Sequence, residues 1–193
     1  MQRWQSLARR IRVPLGFITA ALYVFEVARH PAHPAAVAWS LVLVLPGLAL
    51  RAVASGTVKK NRELAVSGPY AYTRNPLYLG SMLIAFGFAA AAASWVILAL
   101  LALLFAAIYI PTIQSEEAYL REHFAGYVAY ARAVPRLLPR GAGADKELAA
   151  DGAVAATGGF SAELYRRHRE YNSAMGAAAI YLALALKLLF FSR

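Results

Sequence analysis

Cysteine is absent from this chain of 193 residues, and charged residues are scarce. Without cysteine, disulfides and thiolate metal sites are excluded. Only 16% of the residues are charged and 60% are hydrophobic, which is too apolar for a soluble domain of this size. The composition therefore predicts an all-α integral membrane protein.

Acidic residues are the scarcer charge, with 10 Asp and Glu against 20 Lys and Arg. The basic residues flank apolar runs and form no soluble basic face, which argues against nucleic-acid binding. Their positions are better explained by the tendency of basic residues to flank the cytoplasmic ends of membrane spans. We therefore expect a protein of the inner or plasma membrane with its N-terminus in the cytoplasm. No small-residue cleavage site follows the first apolar run, so we expect no cleaved signal peptide.

The apolar runs predict about five membrane helices. Their expected ranges are 11–28, 35–54, two arms within 77–113, and 174–191. The run 77–113 is too long for one span, and Ser94 and Trp95 mark its turn. Gly80 and Gly87 are small enough to let two helices pack closely, which favours a tight helical hairpin.

The chain divides by composition into membrane spans over 1–60, a core with the hairpin over 61–140, and a tail over 141–193. A polar helix is expected over 114–140, with Ser115 as its cap. Residues 141–160 are expected to form a flexible loop, and 161–171 a basic amphipathic helix on the inner leaflet.

Several polar residues have ordinary explanations. Glu26, near the end of the first span, is expected to be solvated or paired with Arg29. His30 and His33 lie on a turn with no third ligand nearby, so we expect no metal site. Lys187 is expected to extend its amine toward the far membrane surface.

The stretch 67–80 combines a cation, tyrosines and a helix start. Gly68 and Pro69 indicate a turn. Asn75 is a good N-cap, and Pro76 suits the first helical turn. The free N–H groups at such a helix start can hold an anion. Arg74 and Tyr78 therefore stand where a ligand with negative charge would bind.

An acid pair, Glu116 and Glu117, follows the second arm of the hairpin. The start of one arm and the end of the other should lie side by side, so the acids would face Arg74. An acid pair, a cation and aromatic rings suit a zwitterion with an extra positive centre, such as S-adenosylmethionine. The alternative is a set of ordinary interfacial tyrosines with a surface Arg–Glu pair.

The order and spacing of these motifs resemble those of the isoprenylcysteine carboxyl methyltransferase and phospholipid methyltransferase superfamily. The likeness covers about residues 64–139. The residues that carry it are Gly68, Pro69, Tyr70, Arg74, Asn75, Pro76, Tyr78, Gly80, Glu116, Glu117, Leu120, Phe124, Tyr127, Tyr130, Pro135 and Pro139.

The resemblance implies an integral membrane methyltransferase that uses S-adenosylmethionine in a cytosolic pocket and a lipophilic acceptor from the bilayer. It implies that Arg74 and Glu117 are catalytic. The residues it places at the cofactor are Gly68, Tyr70, Arg74, Asn75, Pro76, Tyr78, Glu116 and Glu117. Gly68 and Tyr70 would allow close approach of the backbone.

Two departures from the family pattern bear on the substrate. Asn75 replaces the usual histidine and cannot titrate, which favours a positioning role over proton transfer. The isoprenylcysteine branch tends to have a basic residue just before its acid pair. This sequence has Pro111, Thr112, Ile113 and Gln114 there, which argues against a carboxylate acceptor. Arg121, Arg132 and Arg136 are possible substitutes. An amine or hydroxyl acceptor would need a base, for which Glu117 and His123 are the candidates.

Two other functions stay open. An NADPH-dependent sterol-type membrane reductase resembles this family in its Arg-His-Pro-x-Tyr region, but its extra phosphate would want more cations than Arg74. A non-enzymatic membrane scaffold would bind neither cofactor. The sequence does not determine the acceptor or the oligomeric state.

Overall fold

The computed structural model describes residues 2–59, 63–139 and 159–191, with side chains from Pro14 onward. The regular secondary structure of this part of the chain is helical, and these residues contain no strand. The helices are α1 Gln2–Arg29, α2 Pro34–Thr57, a 3₁₀ turn Gly68–Ala71, α3 Pro76–Ala91, α4 Trp95–Leu104, α5 Ile110–His123, α6 Tyr127–Ala133, α7 Ala162–Arg167 and α8 Tyr171–Phe191. The predicted all-α membrane class is confirmed.

Three helical stretches among the described residues are long and apolar enough to cross a membrane. They are Pro34–Thr57, Trp95–His123 and Tyr171–Phe190. Helix α3 is apolar but has only 16 residues, and α1 carries arginines in its first half and Glu26 in its last turns. The predicted count of five spans is therefore not confirmed.

The chain from Trp95 to His123 is one continuous helix, which corrects the prediction that Ser115 caps a new one. The sequence changes from apolar to polar near residue 114, but the helical backbone continues through this point without a break. A π-helical turn, Phe105–Tyr109, lies just before Pro111. It is the irregularity expected where proline cannot donate a backbone hydrogen bond.

The chain forms two compact units, each assembled from separate segments. The first contains 1–46, 82–115 and 174–193, and the second contains 47–81 and 116–173. The three consecutive ranges predicted from composition stay a prediction.

In the first unit, Val44, Ile97 and Leu184 are almost fully buried. The Ser40 and Tyr181 hydroxyls lie 2.7 Å apart. A Cβ on Gly87 would lie 2.5 Å from Val44 Cγ2. The glycine therefore lets α3 approach α2, whereas the sequence analysis had assigned it to contact within the hairpin.

Polar residues of the first unit find partners near the end of α1. Glu26 accepts a hydrogen bond from Ser94 at 3.0 Å and lies 3.5 Å from His30 Nε2. Arg29 instead lies over the ring of Phe25, so the expected pairing of Glu26 with Arg29 is wrong. Lys187 donates to the carbonyl of His30 at 2.6 Å, which satisfies its amine at the end of an apolar helix.

The second unit contains two small apolar clusters. One comprises Leu64, Val66, Tyr127, Tyr130 and Val134, with Leu120 and Phe124 packed against it. Phe124 lies between α5 and α6, and Tyr127 begins α6, so the single helix expected over 114–140 is wrong. The other comprises Ala54, Ala65 and Tyr70.

The predicted loop 141–160 lies almost wholly outside the described residues. The basic helix after it is shorter than the predicted range 161–171. Ser161 caps α7 by accepting from the Leu164 amide at 3.3 Å. Arg169 has a positive φ of 53°, which separates α7 from α8 because residues with a side chain rarely continue a helix in that conformation.

Candidate functional site

The site begins at a turn that leads into α3 in the second unit. Gly68 has φ +59°, and a Cβ there would meet its nearest neighbour, Thr57, at an ordinary 3.5 Å. The positive φ therefore favours glycine at this position, and close approach of its backbone to a cofactor stays a prediction. Tyr70 is buried, and its carbonyl accepts a hydrogen bond from the Tyr130 hydroxyl at 2.8 Å. These contacts hold the turn against α6.

The segment after α6 lies beside the start of α3. The Arg74 amide donates to the Pro135 carbonyl at 2.9 Å. The Asn75 side-chain amide donates to the Arg136 carbonyl at 2.9 Å, and Thr73 Oγ1 lies 3.4 Å from the same oxygen. Asn75 stands before Pro76 as predicted, but its amide group binds this neighbouring segment.

Glu117 lies at the centre of the site, with its side chain 7% exposed. Its Oε1 is 3.3 Å from Arg74 Nη1 and 3.5 Å from Asn75 Nδ2. Its Oε2 accepts from Arg136 Nη2 at 2.8 Å and from Arg136 Nε at 3.0 Å. A buried carboxylate needs such partners, because an unpaired charge away from water is costly.

The two glutamates of the acid pair point in different directions. Glu116 is exposed and accepts a hydrogen bond from the Tyr78 hydroxyl at 2.8 Å. Consecutive residues on a helix are rotated by about 100°, so adjacent side chains do not share a face. The site therefore has one buried carboxylate and one exposed carboxylate.

Arg74 is held from several sides and is only 12% exposed. Its Nη1 donates to the Tyr127 hydroxyl at 3.2 Å. Among the described residues, its buried Nε has no hydrogen-bond partner. This N–H is a donor without a protein acceptor, in a structure where most buried polar groups are paired.

Three tyrosine hydroxyls near the site stay protonated more firmly than usual. Burial raises the pKa of Tyr127, and the negative charge of Glu117 adds to the effect, while Arg74 opposes it. Burial likewise raises the pKa values of Tyr70 and Tyr130. These hydroxyls are neutral hydrogen-bonding groups at neutral pH.

Arg74 lies against Glu117 as the helical hairpin predicted, and Asn75 contacts the same carboxylate, a contact that was not predicted. Sequence reasoning missed Tyr127 as a partner of Arg74 and could not place Arg136. Of the three arginines considered as substitutes, Arg136 contacts Glu117, whereas Arg121 and Arg132 are exposed. The one sequence feature that pointed to Arg136 was its position between Pro135 and Pro139, at the end of the segment that resembles the family.

His123, a candidate base, is exposed at the end of α5. Its Nδ1 lies 2.9 Å from the Tyr119 carbonyl, and its ring stacks on Tyr119 at 3.9 Å. His168 lies 2.8 Å from the Ser55 carbonyl through Nδ1. Among the described residues, the side chains that contact Glu117 are Arg74, Asn75 and Arg136, and neither histidine is one of them.

Comparison with known families supports the resemblance drawn from the motifs. The sequence model of the phospholipid methyltransferase family matches residues 51–126, less than half of the 193 residues. This range contains Arg74, Asn75 and both glutamates of the acid pair. The resemblance to this superfamily is therefore confirmed over the segment that builds most of the site.

Two curated proteins are similar over part of the chain. The cobalt-zinc-cadmium resistance protein CzcN of Cupriavidus metallidurans is 39% identical over 82 residues, and the nickel-cobalt-cadmium resistance protein NccN of Alcaligenes xylosoxydans xylosoxydans is 38% identical over 82. Each match covers 42% of this chain and 38% of the relative. The chain thus matches well under half the length of either relative. No solved structure matches it significantly.

Proposed function

We propose that the protein transfers a methyl group from S-adenosylmethionine to a lipophilic acceptor at the cytoplasmic surface of a membrane. One observation carries the proposal: Arg74 and Asn75 contact Glu117 directly, within one unit and within the segment that the methyltransferase family model matches. These are the residues that the motif resemblance assigns to the cofactor.

The donor set fits the charges of S-adenosylmethionine. Its carboxylate needs N–H donors, and Arg74 Nε is a buried donor without a partner among the described residues. Its amine and sulfonium need acids, and Glu116 and Glu117 supply one exposed and one buried carboxylate. Tyr70 and Tyr78 are the aromatic residues of the proposed set. Gly68, Asn75 and Pro76 shape the backbone around them.

Bound S-adenosylmethionine would supply a methyl group that is already activated on a positive sulfonium. The chain's residues would then have to align donor and acceptor and exclude water. Arg74 and Glu117 are suited to alignment because each is held by at least two other groups. Asn75 has a positioning role, since it cannot exchange a proton.

The acceptor is proposed to be a lipid, an isoprenoid or a prenylated carboxylate. The described residues include three stretches of membrane-span length, which give an apolar molecule access from the bilayer. Arg136, 51% exposed and bound to Glu117, is a cation that an acidic acceptor would meet. In the isoprenylcysteine branch, a basic residue just before the acid pair would suit such an acceptor. This sequence lacks that residue, and Arg136 is proposed to take its place.

Binding of S-adenosylmethionine to the purified protein in detergent tests the proposal. We expect saturable calorimetric binding that Glu117→Gln and Arg74→Ala each weaken by about tenfold or more. The first removes the carboxylate that two arginines share, and the second leaves Glu117 with Arg136 alone. Glu122→Gln is the matched control, an exposed carboxylate on the same helix, and should bind like the wild type.

NADPH is the competitor in this experiment. Arg136 gives the site a second cation that sequence reasoning had not counted, so the reductase alternative deserves a direct comparison. Preference for NADPH would replace the methyltransferase proposal, and binding of neither cofactor would favour a scaffold.

Transfer itself is tested by incubating membranes with S-adenosylmethionine that carries a radiolabelled methyl group. We expect label in the lipid extract or in a lipid-modified protein fraction, and none with the Glu117→Gln variant. Label that is independent of the expressed protein would count against methyl transfer.

The names of the two relatives suggest metal handling as a second candidate function. No group of three or more His, Asp or Glu residues that could hold a metal ion occurs in the described ranges 2–59, 63–139 and 159–191. Calorimetry with Co²⁺, Zn²⁺ and Cd²⁺ tests direct metal binding, and micromolar affinity would support it.

A further inference from the structure

A second ion pair in the second unit joins α2 to the segment between α7 and α8. Arg51 Nε lies 2.6 Å from Glu170 Oε1, and Arg51 Nη2 donates to Oε2 at 3.0 Å. The side chains are 23% and 8% exposed. Ser173 also donates to Glu170 at 2.7 Å. Such a bidentate pair fixes the guanidinium in one orientation.

The same guanidinium reaches the beginning of α3. Arg51 Nη1 donates to the Leu77 carbonyl at 3.3 Å and to the hydroxyl of Ser81. Gly80 leaves room for this arrangement, because a Cβ there would lie 2.6 Å from Arg51 Cγ. Arg51 therefore connects Glu170 to the first turns of α3. These turns follow Asn75 and contain Tyr78.

The segment around Glu170 has three more contacts with the end of α2. The Ser161 amide donates to the Gly56 carbonyl at 2.8 Å, and His168 Nδ1 lies 2.8 Å from the Ser55 carbonyl. Phe160 lies so close to Gly56 that a Cβ there would be 2.4 Å from its ring. The segment is thus anchored at several points. It lies outside the residues 51–126 that match the family model.

We infer that Glu170 is a positioning residue of the candidate site: through Arg51 it holds the first turns of α3, and thereby Asn75 and Tyr78, in register with Glu117 and Glu116. The guanidinium makes four hydrogen bonds to three groups, which is more than the neutralisation of one charge requires. The contact with the Leu77 carbonyl fixes the backbone of the turn that bears Tyr78. The inference rests on the proposed function for its consequence in cofactor binding.

The test separates positioning from stability with a double variant. Glu170→Gln alone leaves Arg51 buried without its ionic partner and is expected to lower stability. Arg51→Met combined with Glu170→Met removes both charges, and replacing a buried ion pair by apolar residues of similar size is often neutral or stabilising. The double variant should therefore unfold near the wild-type temperature, yet lack the contacts with Leu77 and Ser81.

Two measurements on the double variant decide the inference. Hydrogen–deuterium exchange of amides 79–85 should be about tenfold faster than in the wild type, because the helix start is no longer held. The Kd for S-adenosylmethionine should rise about tenfold, as for the loss of one well-placed charged hydrogen bond. Glu163→Gln, an exposed carboxylate on α7, is the control and should change neither.

Wild-type exchange and wild-type cofactor affinity in a stable double variant would overturn the inference. If the double variant does not fold, exchange in Glu170→Gln at a temperature where it is folded decides the question in the same way. If the wild-type protein does not bind S-adenosylmethionine, the proposed function fails, but the exchange comparison still tests the positioning.

Discussion

Arg74 and Glu117 form an ion pair at 3.3 Å although one precedes α3 and the other lies in α5. Their side chains are 12% and 7% exposed. A carboxylate and a guanidinium buried together stabilise the fold only while both are present, since either alone is an uncompensated charge.

Replacement of Glu117 by glutamine should destabilise the second unit. Two arginines lose their carboxylate, and breaking a buried pair costs about 3 kcal/mol or more. Thermal unfolding in detergent measures the loss. Glu122→Gln should stay within about 0.5 kcal/mol of wild type, as expected for an exposed residue. Equal stability of the two variants would contradict the burial of the pair.

The two arginines that bind Glu117 should differ in importance. Arg136→Ala should cost about 1 kcal/mol or less, because its side chain is 51% exposed and its backbone carbonyl still accepts from Asn75. Arg74→Ala should cost more, because it leaves Glu117 with the exposed arginine alone and removes a donor to Tyr127. Urea or thermal unfolding of both variants gives the order, and the reverse order would contradict the geometry.

Asn75→Asp should be more harmful than its small change in size suggests. The new carboxylate would replace an amide that donates to the Arg136 carbonyl at 2.9 Å, and it would stand near Glu117. We expect a loss of about 2 kcal/mol for the unpaired carbonyl and the like charges. The loss should shrink at acidic pH, where the new carboxyl is protonated. Unfolding at pH 5 and pH 8 checks this, with wild type as the reference.

Gly80→Ala should destabilise the contact between α2 and α3. Its Cβ would lie 2.8 Å from the Gly47 carbonyl oxygen, which is backbone and cannot swing away. Overpacking of this kind costs about 1–3 kcal/mol. Gly176→Ala in α8 is the matched control, since nothing lies within 4 Å of its added Cβ. That control should be neutral or slightly stabilising.

Stability should fall at alkaline pH. Burial raises the pKa values of Tyr70, Tyr127 and Tyr130 in the folded protein, whereas unfolded tyrosine ionises near pH 10. The unfolded state therefore releases protons first, so stability is full below about pH 10 and declines above it. Tyrosinate absorbance during a pH titration measures this. These three tyrosines should ionise only as the protein unfolds, and normal titration of all tyrosines in the folded state would refute the expectation.

The sequence by itself determined the class of protein and predicted most residues of the candidate site. Apolar runs without charge require helices in lipid, because a helix satisfies its own backbone hydrogen bonds. Local chemistry also placed the turn at Gly68 and the helix start at Pro76. The order of the motifs along the chain predicted that Arg74 and Glu117 lie close together.

Tertiary structure decided which partners these residues have. The direction of Glu116, the place of Arg136 and the pairing of Arg51 with Glu170 depend on contacts between segments far apart in the chain. Helix periodicity predicts which face of a helix is buried, but it does not predict which helix packs against that face. Gly80 and Gly87 of α3, for example, lie against α2. The partners of buried charges are harder still to predict from the sequence. A buried cation can pair with an acidic residue at any distance along the chain, provided that the fold places the two side by side.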